Sequence, residues 1–215
     1  MICALVLAAG RSRRMGAQKL LLPLGGRPVI ARVVDEVLRS GVDEVFVVAG
    51  GDAADLAEAL GDRRVRFVVN PDPDGEMLSS VRCGLAAMPR ECAAALVVLG
   101  DQPSLEAGVI APLLEAFRAS GRGIVAAAHG GRRGHPILID MRYRDEILSR
   151  HDGVGLRGLA RAHPEDVFEA EVPAPGVLDD MDGPEDFRRA AARFPDGGKG
   201  SAPGGAPESN QGMTL

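Results

Sequence analysis

Tryptophan is absent, tyrosine occurs once, and aromatic residues make up only 3% of the 215-residue chain. A platform that stacks single-stranded bases needs several exposed rings, so that function class has little to stand on. Positive charge is also in the minority: 25 Lys and Arg against 30 Asp and Glu leave a net charge of −5. Such a chain offers no overall field to attract nucleic acid or an anionic membrane surface. Cysteine is limited to Cys3, Cys83 and Cys92, with no C-x-x-C spacing. An odd, scattered set reads as free thiols in a reducing compartment rather than a disulfide framework or zinc site. No apolar run approaches the roughly 20 residues that span a bilayer. The apolar start, Met1-Ile2-Cys3-Ala4-Leu5-Val6-Leu7, lacks a basic flank before it and runs into Gly10-Arg11-Ser12-Arg13-Arg14, so it reads as a strand and not as a signal peptide. The expectation is a cytoplasmic protein with no nucleic-acid and no membrane partner. Two familiar phosphate loops are missing as well, G-x-x-x-x-G-K-[ST] and G-x-G-x-x-G.

What is present is a core-forming chain for one α/β domain, with 46% hydrophobic residues, mostly Ala, Val and Leu, that suit close packing of helices on a sheet. Apolar strand-like runs at Cys3–Ala9, Val45–Ala49, Val65–Val69, Ala93–Leu99 and Ile124–Ala128 alternate with helical patterns at Pro28–Ser40, Ala53–Leu60, Leu78–Met88 and Leu105–Ala119. This rhythm predicts a mostly parallel central sheet with helices on both faces. Beyond residue 129 it loosens into strands at Pro136–Ile139 and Val167–Val172, with helices at Arg142–Ser149, Val154–Ala162 and Pro184–Arg193. The expected domain is 1–194, followed by a disordered tail, 195–215, of Gly, Pro, Ser and Ala without apolar periodicity.

In open α/β sheets, ligands bind outside the carboxyl ends of the strands. The loop after the first strand runs Ala8-Ala9-Gly10-Arg11-Ser12-Arg13-Arg14-Met15-Gly16-Ala17-Gln18-Lys19. Its glycines let backbone N–H groups approach a phosphate. Arg11, Arg13, Arg14 and Lys19 gather four cations within nine residues of an acidic chain, which suits a triphosphate better than a solvated loop. Gly100-Asp101-Gln102-Pro103 ends the most strand-like run, where the Asp101 carboxylate either holds a hard cation or simply makes a turn. Gly75-Glu76-Met77-Leu78-Ser79-Ser80 leads into a helix that either serine can cap, leaving other N–H groups for a ligand. Further on stand His135, Arg157 and the acidic run Asp179-Asp180-Met181-Asp182.

Leu7-Ala8-Ala9-Gly10-x-Ser12-x-Arg14-Met15-Gly16-x-x-Lys19-Leu20-Leu21 resembles the opening of the molybdenum cofactor cytidylyltransferases, within the wider nucleotidyltransferase family of guanylyl-, cytidylyl- and sugar-phosphate-transferring enzymes. The resemblance implies a Rossmann-like nucleotidyltransferase fold. Arg14, Lys19 and Asp101 would act on the triphosphate, with Leu7, Ala8, Ala9, Gly10, Arg11 and Ser12 lining the nucleotide. Gly100-Asp101-x-Pro103 matches the family's metal motif, so Asp101 would hold Mg2+ with Asp180 or Asp182 completing the site; Gly183 stands where the family has Thr. Ser79, Ser80 and Gly84 match a segment that contacts the nucleoside, with Glu76 inserted between Gly75 and Met77. Gly134-His135-Pro136 matches the cytidylyl and related branch, and Asp152-Gly153-Val154-Gly155-Leu156-Arg157 resembles its Gly-Asp-x-Gly-Ala-Arg with the Asp displaced by one position. His135 and Arg157 would then meet a phosphorylated acceptor. The implied reaction is CMP transfer from CTP to molybdopterin, with a molybdoenzyme or its maturation factor as a partner. GTP, a sugar phosphate or another small phosphate acceptor, NAD(P)H-dependent oxidoreduction on the same scaffold, and non-catalytic cofactor carriage remain the alternatives.

Overall fold

The computed structural model of the chain describes residues 1–10, 18–72 and 75–195. Strand β1, Ile2–Ala8, is followed by a 3-10 turn at Lys19–Leu21 and a small hairpin of β2, Pro23–Leu24, and β3, Arg27–Pro28. Then come α1 (Val29–Arg39), β4 (Glu44–Ala49), α2 (Ala53–Leu60), β5 (Arg66–Val69), α3 (Met77–Ala87), β6 (Ala94–Leu99) and α4 (Ala107–Ser120). The second half runs β7 (Ile124–His129), β8 (Arg132–Asp140), α5 (Arg144–Ser149), α6 (Leu156–Ala162), β9 (Val167–Glu171) and α7 (Pro184–Arg193). These ranges follow the predicted rhythm closely. The hairpin β2–β3 was not predicted, and its Gly25-Gly26 turn, with φ of 58° and 74°, is the signal that marks it.

Seven strands form one sheet in the order β5-β4-β1-β6-β8-β7-β9. All neighbours are parallel except those of β8, which runs antiparallel to both β6 and β7. The expected mostly parallel sheet is thus present with one inverted strand. That inversion follows from a two-residue connection, Gly130-Gly131, both at positive φ (58° and 73°), which closes a β7–β8 hairpin. Pairing starts at His129↔Arg132, so β8 is longer than the predicted Pro136–Ile139. Gly134-His135-Pro136 therefore lies inside the strand and not ahead of it.

Alternation along β1 shows how the sheet is buried on both faces. Ala4, Val6 and Ala8 join Val33, Val37, Leu56 and Ile110 in one core layer. Cys3 and Leu5 join Val81, Leu85, Ile139 and Ile147 in the other. Small side chains permit close approach. A Cβ on Gly84 of α3 would stand 2.0 Å from Leu5 Cδ1, so only glycine lets α3 lie this near β1. Each fully buried Val, Leu or Ile contributes about 1.5–3 kcal/mol of transfer free energy, which makes these two layers the main stabilising term.

Candidate active site

Strands β1 and β6 end side by side, with Leu7 paired to Leu99 and the Gly100 N–H donating to Leu7 O at 2.9 Å. A Cβ on Gly100 would come within 2.8 Å of that same carbonyl oxygen, so the chain can leave β6 here only through glycine. The next residue, Asp101, is thereby carried to the carboxyl edge of the sheet. Lys19 reaches the same point from the 3-10 turn, which the buried Leu20 anchors. Its Nζ donates to the Asp101 carboxylate and to Met181 O at 2.9 Å, and stands 3.5 Å from Asp182 Oδ1. Both Lys19 and Asp101 are largely shielded, with side-chain exposures of 12% and 18%, so their charges act in a medium that screens them less than water does.

The acidic run is laid beside Asp101 by backbone and by one buried amide. Met181 N–H donates to Asp101 O at 3.1 Å. Gln102, only 1% exposed, donates through Nε2 to Asp180 Oδ1 at 2.7 Å and to Val177 O at 3.3 Å. Partial removal of the Asp180 carboxyl from water, together with the nearby charges of Asp101 and Asp182, holds it above the usual carboxylate range. Asp186 caps α7 by accepting from Gly183 N at 2.8 Å, with Pro184 in its first turn, as the sequence anticipates.

Three carboxylates crowding one another have the chemistry of a site for a hard divalent cation, since oxygen donors and mutual repulsion both favour one. Among the described residues, however, no group of three or more His, Cys, Asp or Glu side chains is already arranged to hold a metal ion. Magnesium commonly takes only one or two carboxylates and completes its shell with substrate phosphates and water. Asp101 with Asp180 or Asp182 fits that requirement, and Lys19 presently bridges Asp101 and Asp182.

A cleft of about 650 Å3 adjoins this group, with Asp180 on its wall. Met77 and Leu78 of α3, Ile137 and Ile139 of β8, and Gly153, Val154 and Arg157 all line it. His135 projects into it from β8; burial lowers its pKa to about 4, with Arg157 lowering it further and Asp101 opposing, so it is a neutral imidazole at pH 7. A neutral ring can hydrogen-bond a phosphate but carries no charge to it. Gly134 beside it is obligatory for packing, because a Cβ there would stand 2.0 Å from Val177 O.

The predicted residues thus fall into two groups, Lys19 with Asp101 and Asp182, and His135 with Arg157, joined through Asp180. Ala8 is buried in β1, and Leu7 and Ala9 are partly buried near its end. Gly10 is exposed, and among the described residues nothing lies within 4 Å of where its Cβ would be. Arg11, Ser12 and Arg14 lie outside the described residues. The second loop differs from expectation: neither serine caps α3, whose N-cap is Glu76 without a side-chain bond. Both serines sit inside the helix and accept from Asn70 Nδ2, Ser79 at 2.8 Å and Ser80 at 3.0 Å. Ser80 is buried, and Gly84 serves helix packing. Sequence reasoning missed Asn70 and Gln102, although Asn70 stands directly after β5 and Gln102 directly after Asp101. It also missed Arg161, which lines the cleft one helical turn from Arg157, a spacing that could have revealed it.

Several known proteins are similar to this chain. The family described as MobA-like NTP transferase domain matches residues 4–167. Nicotine blue oxidoreductase of Paenarthrobacter nicotinovorans is 34% identical over 172 residues, 76% of this chain and 83% of that protein. The molybdenum cofactor cytidylyltransferase of Escherichia coli is 24% identical over 194 residues, covering 90% of this chain and 97% of its own. Among solved structures, Rv0371c of Mycobacterium tuberculosis superimposes with a TM-score of 0.80 at 26% identity, covering 89% of this chain and 98% of that one. The same protein has also been solved in complex with manganese. The bifunctional GlmU proteins match as well, but the chain spans only 24–28% of their length.

Proposed function

The chain belongs to the MobA-like NTP transferase family and is a nucleotidyltransferase, and we propose that it transfers CMP from CTP to a molybdopterin-type phosphate acceptor, releasing pyrophosphate. The observation that carries the reading is the Lys19–Asp101 pair at the carboxyl edge of β1 and β6, with Asp180 and Asp182 drawn against it. In-line attack by an acceptor phosphate oxygen on the α-phosphorus needs positioning and charge neutralisation, and an ionised phosphate needs no general base. Lys19 supplies a point charge for the triphosphate. Gln102 and the Met181–Asp101 backbone bond orient the carboxylates. Neutral His135 and cationic Arg157 hold the acceptor from the cleft side. Asp101, with Asp180 or Asp182, would hold Mg2+, which when bound neutralises phosphate charge. The manganese complex of the mycobacterial relative supports a divalent ion in this fold. CTP is favoured by the likeness to the Escherichia coli cytidylyltransferase, which extends over nearly the whole of both chains.

The test is pyrophosphate release from each NTP in turn with Mg2+ and molybdopterin, with Asp101→Ala as control. Release with CTP that the variant loses is the expected result. Release with GTP alone would keep the reaction and replace the base, and release only with a sugar 1-phosphate would replace the acceptor. A second reading, NAD(P)H-dependent oxidoreduction, draws on the 34% identity to nicotine blue oxidoreductase. NADPH consumption without pyrophosphate release would favour it.

A further inference from the structure

One carboxylate ties down both ends of the cleft's acceptor wall. Glu146 on α5 bonds His151 Nε2 through one oxygen, at 2.8 Å, and His163 Nε2 through the other, at 2.9 Å. An ionised carboxylate only accepts, so each histidine must present its Nε2–H. Burial pushes the Glu146 carboxyl up, but the bonds to His163 and His151 outweigh it and leave it below the usual range. His151 itself adopts φ of 74°, a region rarely used by a side-chain-bearing residue. Gly158 of α6 folds back against its ring, where a Cβ would stand 2.6 Å from Nδ1. At the other end, the Tyr143 ring lies on that of His163, centroids 4.7 Å apart.

A third attachment comes from α3. Arg82 of α3 donates to Ile147 O at 2.8 Å, to Arg150 O at 2.7 Å and to Asp152 Oδ1 at 2.6 Å. Between these anchors lie Gly153 and Gly155, both at positive φ, and then α6 with Arg157. Helix α6 has seven residues, of which Leu159 alone is fully buried and Leu156 packs half-buried beside the same core. So short a helix with two core contacts gains much of its position from its flanking anchors.

We propose that Glu146, clasping His151 and His163, is a positioning residue for the acceptor: it fixes where Arg157 stands opposite His135 while touching neither substrate. The assignment rests on the cleft being the acceptor side of the proposed transferase. Glu146→Ala frees both histidines, whereas Glu146→Gln keeps one accepting oxygen and should rescue in part.

Hydrogen exchange of the full chain and steady-state kinetics with CTP, Mg2+ and molybdopterin test it together. In Glu146→Ala, amides of residues 151–162 are expected to exchange faster while β1, β4 and β6 do not. The acceptor KM is expected to rise about tenfold, with kcat and the CTP KM changed less than about threefold, and Glu146→Gln falling between. Unchanged exchange in 151–162, or a CTP KM that rises as much as the acceptor KM, overturns the proposal. If Glu146→Ala fails to fold, the same comparison is made on Glu146→Gln. Wild-type protein inactive with every NTP would remove the transferase reading. The exchange result would then still decide whether Glu146 holds the wall, and slow exchange in both variants would reject it.

Discussion

The two sides of the proposed site are held by different means. On the nucleotide side, Asp101 and the Lys19 turn are placed by backbone and packing: parallel pairing of β1 with β6, the obligatory Gly100, and Leu20 sunk in the core. On the proposed acceptor side, residues 151–163 contribute Leu159 and the half-buried Leu156 to the core and are held besides by side-chain bonds from Glu146 and Arg82 and by the Tyr143 ring. Packing against a buried sheet is distributed over many contacts, so no single polar residue decides it. A wall held by a few hydrogen bonds can be moved by one substitution. The proposed site thus has a rigid half and an adjustable half.

That contrast can be broken most severely at Asp101. Asp101→Ala is expected to lower kcat by roughly a hundredfold or more, the scale for loss of a preorganised charge at the reacting group, with the unfolding midpoint little moved. Kinetics and a urea titration on one preparation check both halves of the statement. Next in size is Gly134→Ala, in which the new Cβ meets the Val177 carbonyl and must push back the Pro175–Leu178 turn that precedes Asp180. A loss of about 1–3 kcal/mol is expected from such overpacking, together with weaker metal-dependent activity. Unaltered stability would show that the turn yields without strain.

Arg157→Ala should sharpen the comparison from the other direction. It is expected to raise the acceptor KM about tenfold, in line with losing one charge-assisted phosphate contact, while the CTP KM stays put. Equal effects on both substrates would dissolve the division into two sides. Smallest is the effect of Asp180→Asn on stability. The Asp180 carboxyl is raised in the folded protein by partial burial and by the Asp101 and Asp182 charges. The unfolded chain therefore ionises first, so stability falls as pH rises between the ordinary and the raised pKa. Above the raised pKa the cost is fully present, and Asp180→Asn should there raise Tm slightly without added metal. That gain should shrink as pH falls through the raised pKa, and thermal scans across a pH series give the sign.

The division also explains what could be read from residues alone. Strands and helices of the first half were legible because Val45–Ala49 or Ala93–Leu99 declare themselves by unbroken apolar runs between turn signals. Asp101 was singled out because it follows the most strand-like run directly after Gly100, and Lys19 because it closes a cluster of cations after the first strand. The inverted strand was harder: only the Gly130-Gly131 pair separates a hairpin from a further crossover. Glu146 was not legible at all. Its partners lie 5 and 17 residues away, and nothing in periodicity or composition links an acidic residue of a short helix to two later histidines. Arg82 and Asp152, 70 residues apart, are joined only by the fold.

The hairpin β7–β8 has one more consequence, for how such a site can change over time. Elsewhere along this edge of the sheet the site residues hang on loops, and a loop tolerates a gain or loss of one residue by rearranging. His135 is carried inside β8, in the stretch between the Ala128↔Arg133 and Ala126↔Ile137 pairs where the register shifts, and the pairs on either side hold that stretch in the sheet. A residue inserted among those flanking pairs would turn their side chains to the opposite face. Lineages that retain this strand are therefore expected to vary the proposed acceptor wall by exchanging side chains along β8, while length variation accumulates in the loops around it.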